Sequence, residues 1–369
     1  MLKRYLQNQV KNDLKKKMVF IGGARQVGKT TLALEVADRE GYLNWDVPEH
    51  KESILRNEFP VCPVLIFDEI HKYRSWRNIL KGLFDGRGPE QKILVTGSAR
   101  LDFYRHGGDS LQGRYHYLRL HPLSFAEING QGLDDFNALL NYGGFPEPFF
   151  QASETETKRW SREYRQRLIQ EDLISLEQVR EINKLELMML RLPELCGSPL
   201  SLNSIRNDLQ VSHKSIAHWL NILEQLYAII RLSPFGTPQI RAVKKEQKHY
   251  HYDWNLVLDQ SIRFENMVAI HLLKWVHFLQ DTQGRETELR YFRDIDGREV
   301  DFVVLEDGLP IKFIECKWND AGISKGLKYL KARFLNTESW QISAIGKKDY
   351  LSKEQIRVCP ATIFLKTLI

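Results

Sequence analysis

This sequence lacks the features that mark a membrane-embedded or exported chain. No apolar run reaches the length that crosses a bilayer, and the lysine-rich start has no apolar segment of the signal-peptide kind. The four cysteines are scattered, without the paired spacing of metal ligands: Cys62, Cys196, Cys316 and Cys359. Repeats and low-complexity tracts are also missing. We therefore expect a cytoplasmic protein with free thiols and no membrane partner.

The composition is that of an ordinary globular protein. Of the 369 residues, 43% are hydrophobic and 27% are charged, and the length suffices for two or three domains with separate cores. The net charge of +6 is mild. It permits contact with nucleic acid but does not require it, because many basic proteins never bind DNA.

Strand and helix patterns alternate from the first strand to about residue 130. After a basic amphipathic helix within 1–17, the pattern predicts strands at 18–22, 42–45, 64–67 and 92–96, and helices at 29–38, 76–84 and 99–104. The strands are short and apolar throughout, which is typical of a parallel sheet with both faces buried. This part of the chain is therefore predicted to be α/β.

Residues 150–235 have helical periodicity, and 200–232 have the rhythm of a helix-turn-helix. Val211 and Ser212 form the predicted turn, and Ser212 can cap the second helix. That helix would have an apolar inner face formed by Ile216, Leu220, Leu223 and Tyr227. Its outer face would carry the basic residues His213, Lys214 and His218. The apolar stretch that follows could be a strand of a winged variant.

A basic, aromatic connector at 241–254 leads into a second mixed section. There the pattern predicts a helix at 262–279, strands at 289–293, 299–304 and 313–316, a helix at 322–335 and a strand at 341–345.

The stretch after the first strand fits the phosphate-binding pattern G-x-x-x-x-G-K-[ST] without a mismatch. Its glycines let the backbone curl so that N–H groups point at phosphates, and the helix that follows presents its positive end to the same anion. Lys29 would reach the β- and γ-phosphates, and the Thr30 hydroxyl would be a ligand of Mg²⁺. The predicted nucleotide-binding residues are Gly23, Ala24, Arg25, Gln26, Val27, Gly28, Lys29, Thr30 and Thr31.

A second nucleotide-site element is the apolar strand "VLIFDEIHK", which ends in an acidic pair. Asp68 would hold the Mg²⁺ through water, and Glu69 would polarise the attacking water as general base. An acidic pair is weak evidence alone, but it follows the phosphate loop with one strand between, as such sites require.

Polar residues also flank two later strands. Thr96 and Ser98 stand where a hydroxyl could touch the γ-phosphate or the attacking water, although a turn-forming strand end explains them equally well. Arg114 could neutralise transition-state charge in its own chain or in a neighbouring subunit. A solvated or salt-bridged arginine is the alternative.

The C-terminal section carries a second constellation. Asp301 lies within an alternating strand, and Glu315 and Lys317 stand two apart on the next strand, where side chains share a face. Asp301 and Glu315 can hold Mg²⁺ or Mn²⁺, and Lys317 can position or activate an attacking water for phosphodiester cleavage. An E-x-K strand alone is more often a charged outer face.

Glu265 is the fourth member of this constellation. At helical spacing it shares a face with apolar residues, where an unpaired carboxylate is costly. Either metal ligation, beside Asp301 and Glu315, or partnership with a lysine would explain it. With the order helix, three strands, helix, strand, these residues predict a nuclease-type α/β fold, but they do not decide whether it cuts.

Together these segments resemble a family of bacterial and archaeal ATP-binding proteins. The resemblance is carried by "GGARQVGKTTL", "LIFDEIHKYRSWRNILKGLFD", "VTGSAR", "LQGRYHYLRLHPLSFAE", "YGGFPEP", "FEN", "VDFVV" and "IECK". In that family an AAA-type ATPase domain is joined to a C-terminal domain of the PD-(D/E)xK nuclease fold whose function is unknown. "GGFPEP" has no evident chemical role.

The resemblance implies ATP as the nucleotide, a P-loop AAA-type ATPase domain at 1–150, a helical winged-helix domain at 151–240 and a restriction-endonuclease-like α/β domain at 241–369. It matches Arg114 to the Gly-Arg position of the family. One departure is Ala99, where the family often carries a second hydroxyl, so that Ser98 is the only serine there. The absence of a guanine-reading N-K-x-D stretch also favours ATP.

Two functions stay open at this point. In the leading one, ATP turnover is coupled to DNA binding, and the C-terminal domain cuts the DNA with a metal ion or grips it. Phosphate contacts would come from His213, Lys214, Lys244, Lys245 and Lys248, although a solvated charged face is the more common explanation of such residues. In the second, ATP controls a binding protein whose winged-helix and nuclease-like modules are catalytically inactive. A chaperone-like AAA machine is a weaker third, since no substrate-binding pore loop is recognisable. Oligomerisation is left open.

Overall fold

The computed structural model describes residues 2–86, 88, 90–97, 111–169, 181–236 and 247–369. The chain divides into two compact units, one of residues 1–122 with 225–227 and the other of 123–224 with 228–369. Ser98, Lys244, Lys245 and the predicted helix at 99–104 lie outside the described residues. The three predicted domains, with boundaries at 150 and 240, stay a prediction.

In its described residues the first unit is built on five parallel strands: β1 (Met18–Gly23), β2 (Tyr42–Asn44), β3 (Val64–Asp68), β4 (Lys92–Thr96) and β5 (Tyr115–Leu120). Their order in the sheet is β2-β3-β4-β1-β5, and every neighbouring pair is parallel. The prediction of a parallel sheet with both faces buried is confirmed. In such a sheet the carboxyl ends of all strands meet at one edge, which is where ligands bind in open α/β folds.

The described residues of this unit form the α-helices α1 (Gln7–Asp13), α2 (Lys29–Val36), α3 (Pro48–Arg56) and α4 (Trp76–Gly86). Ile54 of α3 and Leu80 of α4 are fully buried in one apolar core with Phe67 of β3. The sequence pattern missed α3, which begins at Pro48 and ends before Asn57 in the left-handed conformation. A proline at the start and a left-handed asparagine at the end are ordinary helix boundaries.

The second unit begins with helices: α5 (Leu133–Tyr142), α6 (Pro146–Gln151), α7 (Glu154–Arg167), α8 (Ile182–Arg191), α9 (Leu202–Leu209) and α10 (His213–Gln225). An antiparallel strand pair follows, β6 (Ile229–Leu232) and β7 (Lys248–His251). The segment predicted as a helix-turn-helix thus forms two helices around a turn at 210–212. The Ser212 hydroxyl caps α10 by accepting a 3.0 Å hydrogen bond from Ser215 N–H. Whether this is a winged-helix module stays a prediction.

The "YGGFPEP" stretch has a packing role. Gly143 has φ of +80°, and a Cβ there would come within 2.5 Å of the Asn255 side chain. Phe145 is fully buried, with its ring centroid 4.7 Å from that of Trp160. Pro146 then starts α6. The glycine permits the turn, and the phenylalanine anchors the turn to α7.

The unit ends with α11 (Gln260–Gln283), α12 (Lys325–Arg333), α13 (Ala361–Leu365) and a sheet. The strands are β8 (Thr287–Arg293), β9 (Glu299–Glu306), β10 (Leu309–Lys317), β11 (Glu338–Ser343), β12 (Tyr350–Leu351) and β13 (Arg357–Pro360). Their order is β12-β13-β11-β10-β9-β8, mixed in direction. α11 is capped by the Asp259 side chain and ends at left-handed Gly284. None of the described helices is long and apolar enough to cross a membrane.

Candidate functional site

The glycine-rich loop lies between the carboxyl end of β1 and the start of α2. Gly23 has φ of +139°, and a Cβ there would come within 2.3 Å of the Leu120 carbonyl oxygen. Gln26 and Gly28 also have positive φ, at 59° and 97°. The loop therefore needs its glycines both for conformation and for space.

Lys29 is buried and folds back over this loop. Its ammonium donates to the carbonyl oxygens of Gly23 at 3.1 Å and Ala24 at 2.7 Å. Arg4, which precedes α1, braces the loop by donating 2.7 Å to the Val27 carbonyl and 2.6 Å to the His121 carbonyl. Thr31 is exposed in the first turn of α2. The sequence reasoning missed Arg4, whose partners are distant in the chain.

Asp68, at the end of β3, is surrounded by hydroxyl groups. Thr30 donates to its Oδ2 at 2.8 Å, Tyr42 donates to the same oxygen at 2.8 Å, and Thr96 donates to Oδ1 at 2.6 Å. Burial and the charge of Asp68 raise the pKa of Tyr42 to about 12, so this phenol stays a donor. The predicted neighbourhood of Thr30 and Asp68 is present.

The same contacts change the interpretation of Thr96. Its side chain is fully buried, and its hydroxyl is used on Asp68, so it does not stand free to touch a γ-phosphate or a water. Tyr42 and its partner Asn44, which donates 3.1 Å to the phenolic oxygen, were not predicted. Both lie on β2, the strand next to β3, and they are two residues apart.

Glu69 follows Asp68 in the left-handed conformation, with φ of 56°. Burial raises the pKa of its carboxyl, while Lys29 and Lys72 act in the opposite direction. Its Oε2 lies 3.5 Å from His71 Nε2 and 3.8 Å from Lys72 Nζ. Non-glycine residues in such a strained conformation are frequent at reactive sites, and Glu69 has it directly after the carboxyl end of β3.

Arg114 does not join this group. It precedes β5, and its carbonyl accepts a 3.0 Å hydrogen bond from Met18 N–H at the amino end of β1. β1 is six residues long, about 16 Å, and the phosphate loop is at its other end. Arg114 Nε pairs instead with Asp85 Oδ1 at 2.8 Å. A role for Arg114 at the nucleotide of its own chain is therefore wrong.

In the second unit, four carboxylates form what we call the acidic cluster: Glu265, Glu299, Asp301 and Glu315. Asp301 Oδ2 accepts a 2.8 Å hydrogen bond from Cys316 N–H, and Lys317 Nζ donates 2.7 Å to Glu315 Oε1. Glu315 and Lys317 share a face of β10, as predicted. Burial and the neighbouring Asp301 raise the pKa of Glu315, against the opposite effect of Lys317.

Glu265 has two partners of its own. Tyr250 donates a 2.6 Å hydrogen bond to its Oε1, and Lys248 Nζ lies 3.6 Å from the same oxygen. Lys248 also pairs with Glu299. Of the two explanations offered for Glu265, the structure provides the lysine partner.

The prediction that Lys248 contacts a DNA phosphate is wrong. Its side chain is only 2% exposed, and it lies on β7 rather than in a connector. Burial lowers its pKa, but Glu265, Asp301 and Glu299 outweigh burial, so the pKa is raised and the ammonium stays charged.

The predicted three-ligand set of Glu265, Asp301 and Glu315 is not formed. Within the described ranges, no group of three or more His, Cys, Asp or Glu side chains is arranged to hold a metal ion. The Asp301–Glu315 end still offers oxygen donors that suit Mg²⁺ or Mn²⁺, since Glu315 Oε2 is buried with no hydrogen-bond partner among the described residues. The Glu265 end does not fit a divalent cation, because an ammonium is already there.

Three family models match successive parts of the chain. Residues 15–129 match an AAA domain, 133–261 match a domain of unknown function (DUF8612), and 262–364 match another domain of unknown function (DUF4143). The first match covers the phosphate loop and the Asp68–Glu69 pair. Together with the parallel sheet, it supports an AAA-type ATP-binding domain in this part of the chain.

Among similar proteins, an uncharacterized protein of Mycobacterium tuberculosis is 22% identical over an alignment of 325 residues that covers 84% of this chain and 73% of that protein. An uncharacterized protein of Methanocaldococcus jannaschii is 24% identical over an alignment of 296 residues that covers 73% of this chain and 64% of the relative. The solved Aeropyrum pernix ORC1 protein in complex with DNA is 13% identical, covering 72% of this chain and 93% of that one, with a TM-score of 0.34. That score is too low to establish a shared overall fold.

Proposed function

We propose that this chain is a Mg²⁺-dependent ATPase that couples ATP turnover to DNA binding, with a C-terminal unit that cleaves or grips the DNA. The observation that carries the ATPase is the contact between Thr30 and Asp68 at 2.8 Å, beside a loop whose lysine is poised over it. A hydroxyl and a carboxylate are oxygen donors of the kind Mg²⁺ prefers.

When bound, Mg²⁺ neutralises charge on the phosphates. Thr30 and Asp68 would hold the ion, while Tyr42 and Thr96 fix the Asp68 carboxylate. The Lys29 ammonium would exchange its two carbonyl partners for phosphate oxygens, which make stronger, charge-assisted hydrogen bonds. The predicted loop residues Gly23 to Thr31 would then donate backbone N–H groups to the phosphates.

Glu69 is proposed as the general base. Its raised pKa makes it a better proton acceptor than an exposed glutamate, and its position directly after Asp68 places it at the same edge of the sheet. His71 and Lys72 contact the Glu69 carboxylate, so they would orient it towards a water molecule.

Nucleotide binding can be tested separately from turnover by titrating the protein with a fluorescent ATP analogue and Mg²⁺. Lys29→Ala should weaken binding by about tenfold or more, since a charge-assisted hydrogen bond is lost. Lys81→Ala is the matched control, because Lys81 is exposed on α4. Equal affinity of wild type and Lys29→Ala would contradict the assignment of the loop.

DNA binding is proposed for the exposed side of α10. His213 and Lys214 are exposed in its first turn, whereas Ile216 and Leu220 are buried on the opposite side. A helix N-terminus with basic side chains attracts phosphate through both its dipole and its charge.

Cleavage is proposed for Asp301, Glu315 and Lys317. The first two would hold Mg²⁺ or Mn²⁺, and the Lys317 ammonium, 2.7 Å from Glu315, would position a water molecule. Supercoiled plasmid should be nicked by wild type in the presence of either metal and not by Asp301→Ala or Lys317→Ala. Dependence of nicking on Lys29 would show that ATP gates it.

The second candidate is an ATP-controlled binding protein in which the C-terminal unit is an interaction module. It is favoured by one observation, the buried Lys248 ammonium beside Glu265, one of the three carboxylates that the sequence predicted as metal ligands. Absence of nicking under all conditions, from protein that hydrolyses ATP, would support this candidate over cleavage.

A further inference from the structure

The acidic cluster has two ends with different chemistry. At one end, Lys248 Nζ contacts Glu299 and lies 3.6 Å from Glu265 Oε1, and the Tyr250 hydroxyl donates to that same oxygen at 2.6 Å. At the other end, Glu315 is only 6% exposed, and its Oε2 has no hydrogen-bond partner within the described part of the chain. The two ends are joined by Asp301, whose charge acts on both Lys248 and Glu315.

The Lys248 side chain is buried within the acidic cluster. Its side chain is 2% exposed, its ammonium lies 5.4 Å from the centre of the Tyr291 ring, and its backbone is fixed in β7 opposite Leu232. Burying an ammonium is costly unless it is paired. Here three elements supply the compensation, namely Glu265 from α11, Glu299 from β9 and the aromatic face from β8.

An ammonium and a divalent cation compete for the same carboxylate oxygens. Because Lys248 is part of the chain and its position on β7 places the ammonium at the Glu265 and Glu299 oxygens, its effective concentration there exceeds that of any free ion. A divalent cation at this end would also lie beside a fixed positive charge in a poorly solvated place, which is strongly unfavourable. Glu315 Oε2 has no such competitor, since Lys317 contacts the other oxygen.

We propose that Lys248 is the resident cation of the acidic cluster, so that Glu265 is not a metal ligand and a divalent cation binds only at the Asp301–Glu315 end. The second part rests on the metal site proposed above for Asp301 and Glu315. The first part concerns Lys248 alone and stands or falls separately.

The test counts Mn²⁺ ions bound to the full chain without nucleotide, by electron paramagnetic resonance of free Mn²⁺. All proteins carry Asp68→Asn, which removes the carboxylate of the nucleotide site. We expect one bound ion in this background, no change with Glu265→Gln, and loss of the ion with Glu315→Gln. Lys248→Met should gain one equivalent, whereas Lys248→Arg should not.

Lys312→Met is the matched control. Lys312 lies on β10 and pairs with Glu338, so its loss removes a lysine–carboxylate pair of the same sheet outside the acidic cluster. It should leave the Mn²⁺ count unchanged. If Lys248→Met fails to fold, the comparison of Glu265→Gln with Glu315→Gln still tests the proposal in chains that keep the lysine.

The proposal is overturned if Glu265→Gln loses the ion as Glu315→Gln does, or if folded Lys248→Met binds no more Mn²⁺ than its parent. No ion in the parent but one in Lys248→Met would support the resident cation and refute the metal site proposed for cleavage. The two proposals therefore fail in different ways.

Discussion

The phenolic hydroxyl of Tyr42 donates a 2.8 Å hydrogen bond to Oδ2 of Asp68, the oxygen that also accepts from Thr30. Tyr42 lies on β2 and Asp68 on β3, two residue pairs apart in the register, since Tyr42 is opposite Ile66 and Asn44 is opposite Asp68. The Asp68 carboxylate accepts hydrogen bonds from three elements, namely from Thr30 on α2, Tyr42 on β2 and Thr96 on β4. Its orientation is thus set by the sheet before any ligand arrives.

Tyr42→Phe should reduce the rate of ATP hydrolysis by about ten- to a hundredfold, because a hydrogen bond to a charged group contributes about 1.5–3 kcal/mol. KM for ATP should change little, whereas the Mg²⁺ concentration for half-maximal rate should rise. Tyr73→Phe, on a ring that stacks on Trp45, is the control. A loss of rate with an unchanged Mg²⁺ requirement would indicate a structural role only.

Arg114→Ala should leave the hydrolysis rate of dilute protein within about twofold of wild type. The residue lies at the edge of the sheet opposite the phosphate loop, and its pair with exposed Asp85 is of the surface kind that contributes about 0–1 kcal/mol. A steady-state assay over a range of protein concentrations checks this. A loss of hydrolysis rate in Arg114→Ala that grows with protein concentration would instead indicate that Arg114 acts at the nucleotide of a neighbouring subunit.

Buried histidines should make the second unit sensitive to acid. Burial lowers the pKa of His249 to about 4 and that of His251 to about 3, from an ordinary value of 6.5. At these two positions the unfolded chain therefore binds more protons than the folded chain below about pH 6.5, so their contribution lowers the free energy of unfolding as pH falls towards 4.

For one such histidine the loss should be on the order of 3 kcal/mol. His251→Leu should flatten this dependence, since His251 Nε2 has no hydrogen-bond partner among the described residues. Chemical denaturation at several pH values between 4 and 7 measures it. Parallel curves for wild type and variant would contradict the account.

Lys214→Ala should weaken duplex DNA binding several-fold and lower the dependence of the logarithm of affinity on the logarithm of salt concentration by about one. Lys158→Ala is a suitable control, because Lys158 is equally a surface lysine but pairs with Glu154 on α7. Fluorescence anisotropy with a labelled duplex gives both quantities. An unchanged salt slope would remove α10 as the DNA-binding surface.

Local patterns were enough to predict the parallel sheet and the phosphate loop. The strands 64–68 and 92–96 are apolar because both faces are buried, and the glycine spacing between β1 and α2 has few other uses. The shared face of Glu315 and Lys317 follows from the two-residue period of a strand. The position of Arg114 was also predictable, because a residue before a parallel strand lies at the amino edge of the sheet.

Other features depended on partners distant in the chain. β7 reads "KHYH", a polar run without strand character, and it is buried because its side chains face Leu192, Glu265 and Glu299. Nothing local distinguishes Lys248 from an exposed lysine. Tyr42 likewise gains its role from Asp68, 26 residues later. Such pairings are set by tertiary packing, which periodicity does not report.

The most direct test of the ATPase is steady-state release of phosphate from Mg·ATP by wild type, Glu69→Gln and Lys29→Ala. We predict that Glu69→Gln binds ATP as wild type does but releases phosphate at least a hundredfold more slowly, within the usual contribution of a general base. Lys29→Ala should lose both binding and turnover. Hydrolysis by Glu69→Gln at the wild-type rate, or hydrolysis that survives in Lys29→Ala, would contradict the account.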